Sequence, residues 1–316
     1  MSTEVVVNIE NPDGANSIQN LKTPRLPARF RVKSDKYGAW LTAKTVVPLL
    51  SAVVFCNLAL KNRISDFLIA FLFFGWAAYR TQFVLHDTCH MSLFSSRKMN
   101  DFVGYSVGIL VGNFFFRYRA IHFLHHRYNG LIEDPQLPDY LSEAKMTRKG
   151  FLKFLFEPLW GARLLPYLKR DLLEARVVNA KIPRPNMRWW LLLMVVQFSL
   201  VCLITDFFRN MFLALSFYVG MATVSLFLSR LRTLAEHQQV GSAYSDFSRT
   251  HPKNWFDTLL LQDANFCYHL EHHLYPSVQS RHLPELLAEL TSELHTKDSM
   301  GSSMTRTLAK TFLKLS

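Results

Sequence analysis

The sequence predicts an all-α integral membrane protein, a bundle of about four transmembrane helices with a helical cap on the cytosolic side. Three observations predict it. Four apolar runs come close to the roughly 20 residues that a helix needs to cross a bilayer. Charged residues collect between those runs rather than inside them. No stretch alternates strictly between apolar and polar residues, which disfavours a β-barrel. Average composition decides little, because a soluble protein can also reach 49% hydrophobic residues.

Taken in order, residues 1–36 read as a disordered, basic arm. Its first part, Met1 to Gln19, is polar and acidic, with an Asn11-Pro12-Asp13-Gly14 turn. It has no apolar core of the kind a secretory signal requires. Residues 37–300 read as one membrane domain with its cap. The first run, Tyr37 to Leu60, carries no charge except Lys44, and the second, Phe67 to Leu85, is interrupted only by Arg80. Phe102 to Phe116 is shorter and broken by Gly104, Gly108 and Gly112. A run that short cannot make two crossings, so it dips in and returns or lies in the interface. The segment Phe151 to Val178 is amphipathic and basic, which predicts a helix at the membrane surface. Two further runs follow, Trp189 to Thr205 and Met211 to Leu228. Leu283 to His295 predicts a short helix, with Pro284 early, where its missing N–H costs little. Residues 301–316 read as a short basic tail, with a weak interfacial signal over Leu308 to Leu315.

Charge predicts orientation. Lys22, Arg25, Arg29, Arg31, Lys33 and Lys36 precede the first run, and Arg127 to Arg188 is dense in Lys and Arg, whereas the connectors Lys61–Ser65 and Asp206–Asn210 are short. The positive-inside rule then puts both termini and the middle segment in the cytosol. The net charge of +12 is accounted for by this topology signal, and it also suits steering of an acidic partner. Nucleic-acid binding would explain the charge but not its arrangement around lipid-length runs. Cys56, Cys89, Cys202 and Cys267 show no Cys-x-x-Cys spacing and read as reduced. Glycine-rich phosphate loops are absent.

Histidines carry the chemistry. His86 and His90 are four apart, which on a helix sets both rings on one face. In His122-x-x-His125-His126 the first two share a face and the third turns toward a second position; His269-x-x-His272-His273 repeats the pattern. His237 stands alone at the end of an apolar run. Neutral imidazole is the commonest protein metal ligand. A lone His-x-x-x-His is most often incidental, but three such groups beside lipid-length runs point to metal. Imidazole suits zinc, copper, iron and nickel. Eight or nine are too many for one four-coordinate zinc, so two ions fit better. Ligating imidazoles usually donate their other N–H to a carboxylate, and Asp87, Asp134, Glu236 and Glu271 stand close in sequence; each could equally be a solvated acid or a turn residue. His251, His282 and His295 have no partner in the pattern and read as surface residues.

His86-x-x-x-His90, His122-x-x-His125-His126 and His269-x-x-His272-His273-Leu274-Tyr275-Pro276 resemble, in order and spacing, the three histidine boxes of the membrane fatty-acid desaturase superfamily. The resemblance covers roughly Phe67 to Leu290. It implies a di-iron centre on the cytosolic face, O2 as co-substrate, and a substrate chain entering a tunnel in the cap. It also implies a ninth ligand just after the last crossing, where His237 stands. In the acyl-CoA branch an Asn one turn before that ligand holds a water on one iron; here the position is Thr233, so that branch's details do not transfer. Asn265, one turn before His269, is the candidate for a related job. The implied reaction is desaturation of a fatty-acid chain by sequential hydrogen abstraction. Hydroxylation or ketolation of a fatty acid, carotenoid or other small lipophile by the same centre stays open. A non-enzymatic metal carrier would need polar residues along its crossings, which these runs lack. No His-Pro-Gly-Gly haem segment or iron–sulfur motif is present, so a separate ferredoxin, rubredoxin or cytochrome is expected to supply electrons.

Overall fold

The computed structural model describes residues 7–10, 16–19, 25–59, 63–131, 133–140, 147–162, 164–169, 176–177, 180–181, 187–205, 211–237, 248–263, 265–290 and 302–315. Helices dominate: α1 (Asp35–Ala59), α2 (Ile64–Cys89), α3 (Arg97–Leu110), α4 (Phe115–Tyr128), α5 (Arg148–Phe156), α6 (Leu164–Leu168), α7 (Met187–Thr205), α8 (Met211–Ala222), α9 (Val224–Glu236), α10 (Trp255–Leu260), α11 (His269–Leu274), α12 (Leu283–Leu290) and α13 (Met304–Lys314). Among the described residues, strand is confined to two small antiparallel hairpins, Val7–Glu10 with Asn16–Gln19 and Arg176–Val177 with Ala180–Lys181. The first lies in the arm that the sequence suggests is disordered, and its strands flank the Asn11-Pro12-Asp13-Gly14 turn signal.

Among the described residues, three stretches are long and apolar enough to cross a bilayer: Asp35–Cys56, Ile64–Cys89 and Met211–Glu236. The last joins α8 and α9 through a brief break at Thr223. The fourth expected crossing is α7, whose shorter apolar part is Leu191–Leu203; its 19 residues extend about 28 Å. Exposed Leu, Val and Phe side chains along α1, α2 and α7 give these helices the apolar surface that lipid requires.

Helix α2 is the spine of the bundle. It crosses the α8–α9 rod at a pair of glycines. A Cβ on Gly75 would lie 2.6 Å from the Gly220 carbonyl oxygen, and one on Gly220 would strike the Phe71 carbonyl. Small residues let two backbones approach this closely, which is how helices associate where lipid removes the hydrophobic drive.

The segment Phe102–Phe116 breaks near its C-terminal end. Its residues divide between α3 and α4, joined by a tight turn in which Gly112 takes φ +66°, a conformation costly for any residue with a Cβ. The turn packs on the middle of α7: a Cβ on Gly112 would sit 3.0 Å from the Gln197 amide nitrogen. The irregular backbone is thus covered by protein rather than lipid.

Two expectations need correction. Phe151 to Val178 is not one helix. Pro158 opens a 3-10 turn after α5, and Gly161 at φ +76° ends it. The short basic tail expected over residues 301–316 is instead a docked helix over most of its length. α13 packs against α9 through buried Met304 and partly buried Leu308, and the Asp257 carboxylate accepts the backbone N–H of Met304 at 2.8 Å. The predicted helix from Leu283 is present to Leu290; its continuation to His295 lies outside the described residues.

The two charges that interrupt the first apolar runs find one partner. Asp263, fully buried, accepts from Lys44 at 2.5 Å through one oxygen and from Arg80 through the other. The same loop is tied to α2 by Trp76 Nε1–H donating to the Leu259 carbonyl at 2.8 Å and Tyr79 O–H donating to that of Leu261 at 2.6 Å. Three elements, α1, α2 and the loop leading to α11, are therefore fixed to each other just before the third histidine box. The four cysteines are free.

Candidate metal centre

Four helix ends deliver the nine histidines to one place. His86 sits in the last turn of α2 and His90 caps it. His122, His125 and His126 occupy the last two turns of α4. His237 caps α9, and His269, His272 and His273 lie on α11. The rings separate into two groups that could each hold a metal ion: His86, His90, His122, His126 and His272 in one, and His125, His237, His269 and His273 in the other. Within each group the candidate ligand atoms all lie within 4.8 Å of one another. All nine are buried except His126, which is partly so.

This division departs from the expected pairing. Residues three apart, His122 with His125 and His269 with His272, were expected to share a face. The groups instead pair residues four apart, His122 with His126 and His269 with His273. A four-residue step overshoots one turn by about 40°, whereas a three-residue step falls short by about 60°. The odd member of each box, His125 or His272, joins the opposite group.

The donor set fits metal. Nε2 atoms meet at 3.1 Å between His122 and His126, 3.2 Å between His126 and His272, 2.9 Å between His237 and His269, and 3.0 Å between His269 and His273. The Nε2 atoms of His86 and His90 are buried without a hydrogen-bond partner among the described residues. Buried polar atoms are rarely left so unless an ion or water answers them. Burial, reinforced by neighbouring imidazoles, pushes His122, His126, His269, His272 and His273 well below the usual histidine range. Burial, aided by the charges of His125 and Arg119, pushes His90 down to about 3. These rings are neutral near pH 7, as ligation demands.

A pH dependence follows. Each of these groups takes up a proton more readily when unfolded, so stability rises with pH wherever the unfolded chain holds more protons. The metal-free protein is therefore expected to lose stability as pH falls from the ordinary histidine value of 6.5 towards 3, and to show little slope of this origin above about pH 7.5. Melting temperature against pH in detergent checks this, and a flat profile between pH 7 and 5 contradicts it.

The acidic candidates differ. Asp134 meets His125 Nδ1 at 2.9 Å and also accepts the Gln136 backbone N–H at 2.8 Å and the Tyr140 hydroxyl. It turns His125 Nε2 toward the group. Asp87 is 3.5 Å from His86 Nδ1 and accepts the Ser280 hydroxyl at 3.1 Å. Glu236 pairs with Arg232 at 3.2 Å and lies 3.8 Å from His269 Nε2. Among the described residues Glu271 bonds no histidine; the Thr250 hydroxyl donates to it at 2.5 Å, and burial raises its carboxyl despite that bond. Asn265 sits at φ +67°, with its amide bonded to Lys253 at 2.7 Å and to the Ser280 carbonyl at 3.1 Å. It fixes the turn before α11. Thr233 donates its hydroxyl to the Ser229 carbonyl at 2.9 Å.

Several contributors escaped the sequence reading. Tyr140 lies over His237, with ring centroids 4.8 Å apart, and nothing in its spacing announces this. Tyr118 stacks on His122 at 5.6 Å and 10°; its position one turn earlier on α4 was the available signal. His251, read as a surface residue, is fully buried, with ring nitrogens 2.7 Å from the Ser302 carbonyl and 3.0 Å from that of Ala235. His282 is only partly buried, and His295 lies outside the described residues. Asp134→Asn, which keeps the shape but loses the charge, is expected to weaken metal retention about 10- to 100-fold. Chelator competition on the purified protein measures it, and wild-type retention would remove Asp134 from this role.

The fatty acid desaturase family model matches residues 65–300. A sphingolipid delta(4)-desaturase of Drosophila melanogaster, DES1, is 27% identical over 246 residues, covering 76% of this chain and 70% of the relative.

Proposed function

The chain belongs to the fatty acid desaturase family, and from that premise we propose that it is an O2-dependent membrane desaturase of lipid acyl chains. The proposed ligands to two iron ions are His86, His90, His122, His126 and His272 for one, and His125, His237, His269 and His273 for the other. The observation that carries this reading is the division of nine imidazoles into two buried groups. Iron is favoured over zinc because zinc has no redox chemistry. Two irons held there would supply, with O2 as co-substrate, the power to take hydrogen from an unactivated carbon chain.

The chain's own residues do the rest. Burial keeps the imidazoles of His90, His122, His126, His269, His272 and His273 neutral near pH 7. Asp134 orients His125, and Tyr140 backs His237. The centre and both termini are assigned to the cytosolic side on the distribution of Lys and Arg. Electrons come from a separate ferredoxin, rubredoxin or cytochrome, and the net charge of +12 suits an acidic carrier. The name of the Drosophila relative supports a lipid substrate.

The test joins anaerobic metal analysis to lipid profiling of cells expressing wild type or His126→Ala. Wild type is expected to carry iron and to yield a lipid lighter by two hydrogens; the variant is expected to yield none. Zinc at full occupancy with no iron sinks the proposal. A product heavier by one oxygen selects a hydroxylase on the same centre, and one that gains an oxygen and loses two hydrogens selects a ketolase.

A further inference from the structure

Gln279 and Ser280, which the histidine pattern does not include, are fully buried in the connector between α11 and α12. Buried amides and hydroxyls are costly unless their polar atoms find partners. The Gln279 side chain finds three. Its Oε1 accepts the Ser34 backbone N–H at 2.9 Å, and its Nε2 donates to the carbonyls of Ser34 at 3.0 Å and Leu93 at 2.9 Å. The amide thus pairs with Ser34 much as a neighbouring strand would. Leu93 comes within reach because Met91, at φ +55°, turns the chain as it leaves the first box. A residue with a Cβ keeps that conformation only where its surroundings fix it, and Lys33 Nζ donates to the Met91 carbonyl at 2.5 Å. Gln279 therefore pins the connector to the start of α1 and to the exit of the first box.

Ser280 carries that fixed position to the histidines. Its Oγ donates to Asp87 Oδ2 at 3.1 Å and lies 3.1 Å from the Tyr37 hydroxyl. A carboxylate that serves a ligating imidazole is ionised and can only accept. A serine hydroxyl has one hydrogen to give. That hydrogen goes to Asp87, so the Tyr37 hydroxyl must donate to Ser280. The other carboxylate oxygen of Asp87 lies 3.5 Å from His86 Nδ1. One chain of contacts therefore runs from Tyr37 through Ser280 and Asp87 to His86. The Ser280 carbonyl also accepts from the Asn265 amide at 3.1 Å, so the same residue touches the turn that launches the third box.

We propose that Ser280, held in place by Gln279, is a positioning residue for the group of His86, His90, His122, His126 and His272: it orients the Asp87 carboxylate on His86 Nδ1, so that His86 presents Nε2 to the metal. The assignment rests on the metal reading of that group and not on the reaction performed there. Partners one step beyond a metal ligand fix its ring orientation, and their loss is felt in metal affinity.

The experiment challenges the full-length, iron-loaded protein in detergent with a chelator and reads iron retention, with melting temperature to show that each variant is folded. Ser280→Ala and Ser280→Cys are expected to weaken retention about tenfold. The cysteine keeps the volume but offers only a weak donor, and it carries the comparison if the alanine variant does not fold. Ser280→Thr keeps the hydroxyl and is expected to retain iron as wild type does. Tyr37→Phe leaves the Ser280 hydrogen on Asp87 and is expected to change little. Two double-mutant cycles then locate the effect. On an Asp87→Ala background Ser280→Ala is expected to add nothing. On an Asp134→Asn background, which affects the other group, it is expected to add its whole effect. Equal additions on both backgrounds overturn the assignment and leave Ser280 a packing residue. Wild-type retention by the alanine and cysteine variants overturns it too, as does a threonine variant no better than alanine, or a Tyr37→Phe loss as large as that of Ser280→Ala. Zinc in place of iron fails the desaturase reading alone, because the chelator assay and its cycles are read in the same way on zinc.

Discussion

Replacing Asp263 with alanine is expected to destabilise the protein by about 3–5 kcal/mol. The carboxylate is fully buried and answers two cations, Lys44 and Arg80. Removing it leaves the Arg80 guanidinium, whose side chain is 7% exposed, facing two backbone carbonyls and no counter-charge. Breaking a buried pair costs more than never having made it, because the surviving charge stays desolvated. The double variant Arg80→Met/Asp263→Ala should therefore recover part of the loss. Melting in detergent is the measurement, with a drop on the order of 10 °C expected for the single variant. A change of only a degree or two would mean that the loop before α11 is held by its other contacts. Metal content should fall as well. Phe266, three residues on, packs 4.7 Å from Phe83 and 4.8 Å from His86, so displacement of this loop moves the third box relative to the first.

Loss of single histidines should divide by group. His237→Ala leaves three imidazoles in a group of four, whereas His90→Ala leaves four in a group of five. Three protein ligands make an open, weaker site; four can close one. His237→Ala is expected to retain about one iron per chain, and His90→Ala nearly two at saturating iron. Both should lose at least about 100-fold in turnover, more than the loss of an outer partner. Iron per chain, measured beside the iron dissociation rate, decides it. Equal losses from the two variants would contradict the division into groups of five and four.

Much of this was legible in the chain. Apolar length announced α1, α2, α7 and the α8–α9 rod, and the glycines of the short run announced the break between α3 and α4. The histidines were visible because helical spacing is local. What stayed hidden is long-range. Lys44 and Arg80 read as isolated interruptions because their partner lies some two hundred residues away. Tyr140 and Thr250 reach Asp134 and Glu271 through loops whose paths no periodicity records. The break at Pro158 is written in the sequence, but the amphipathic pattern runs on through it and masks it. His251 was misjudged because its partners are backbone carbonyls, which have no sequence signature.

The sharing of histidines between the two groups has a consequence for assembly. The five-membered group draws four rings from the first half of the chain and only His272 from the second. The four-membered group draws three from the second half and only His125 from the first. Neither half can finish either site. With metal bound as proposed, each ion becomes a clasp across the midpoint of the polypeptide. The centre then closes only after α11 has left the ribosome and docked, so late arrival of the third box delays both clasps together.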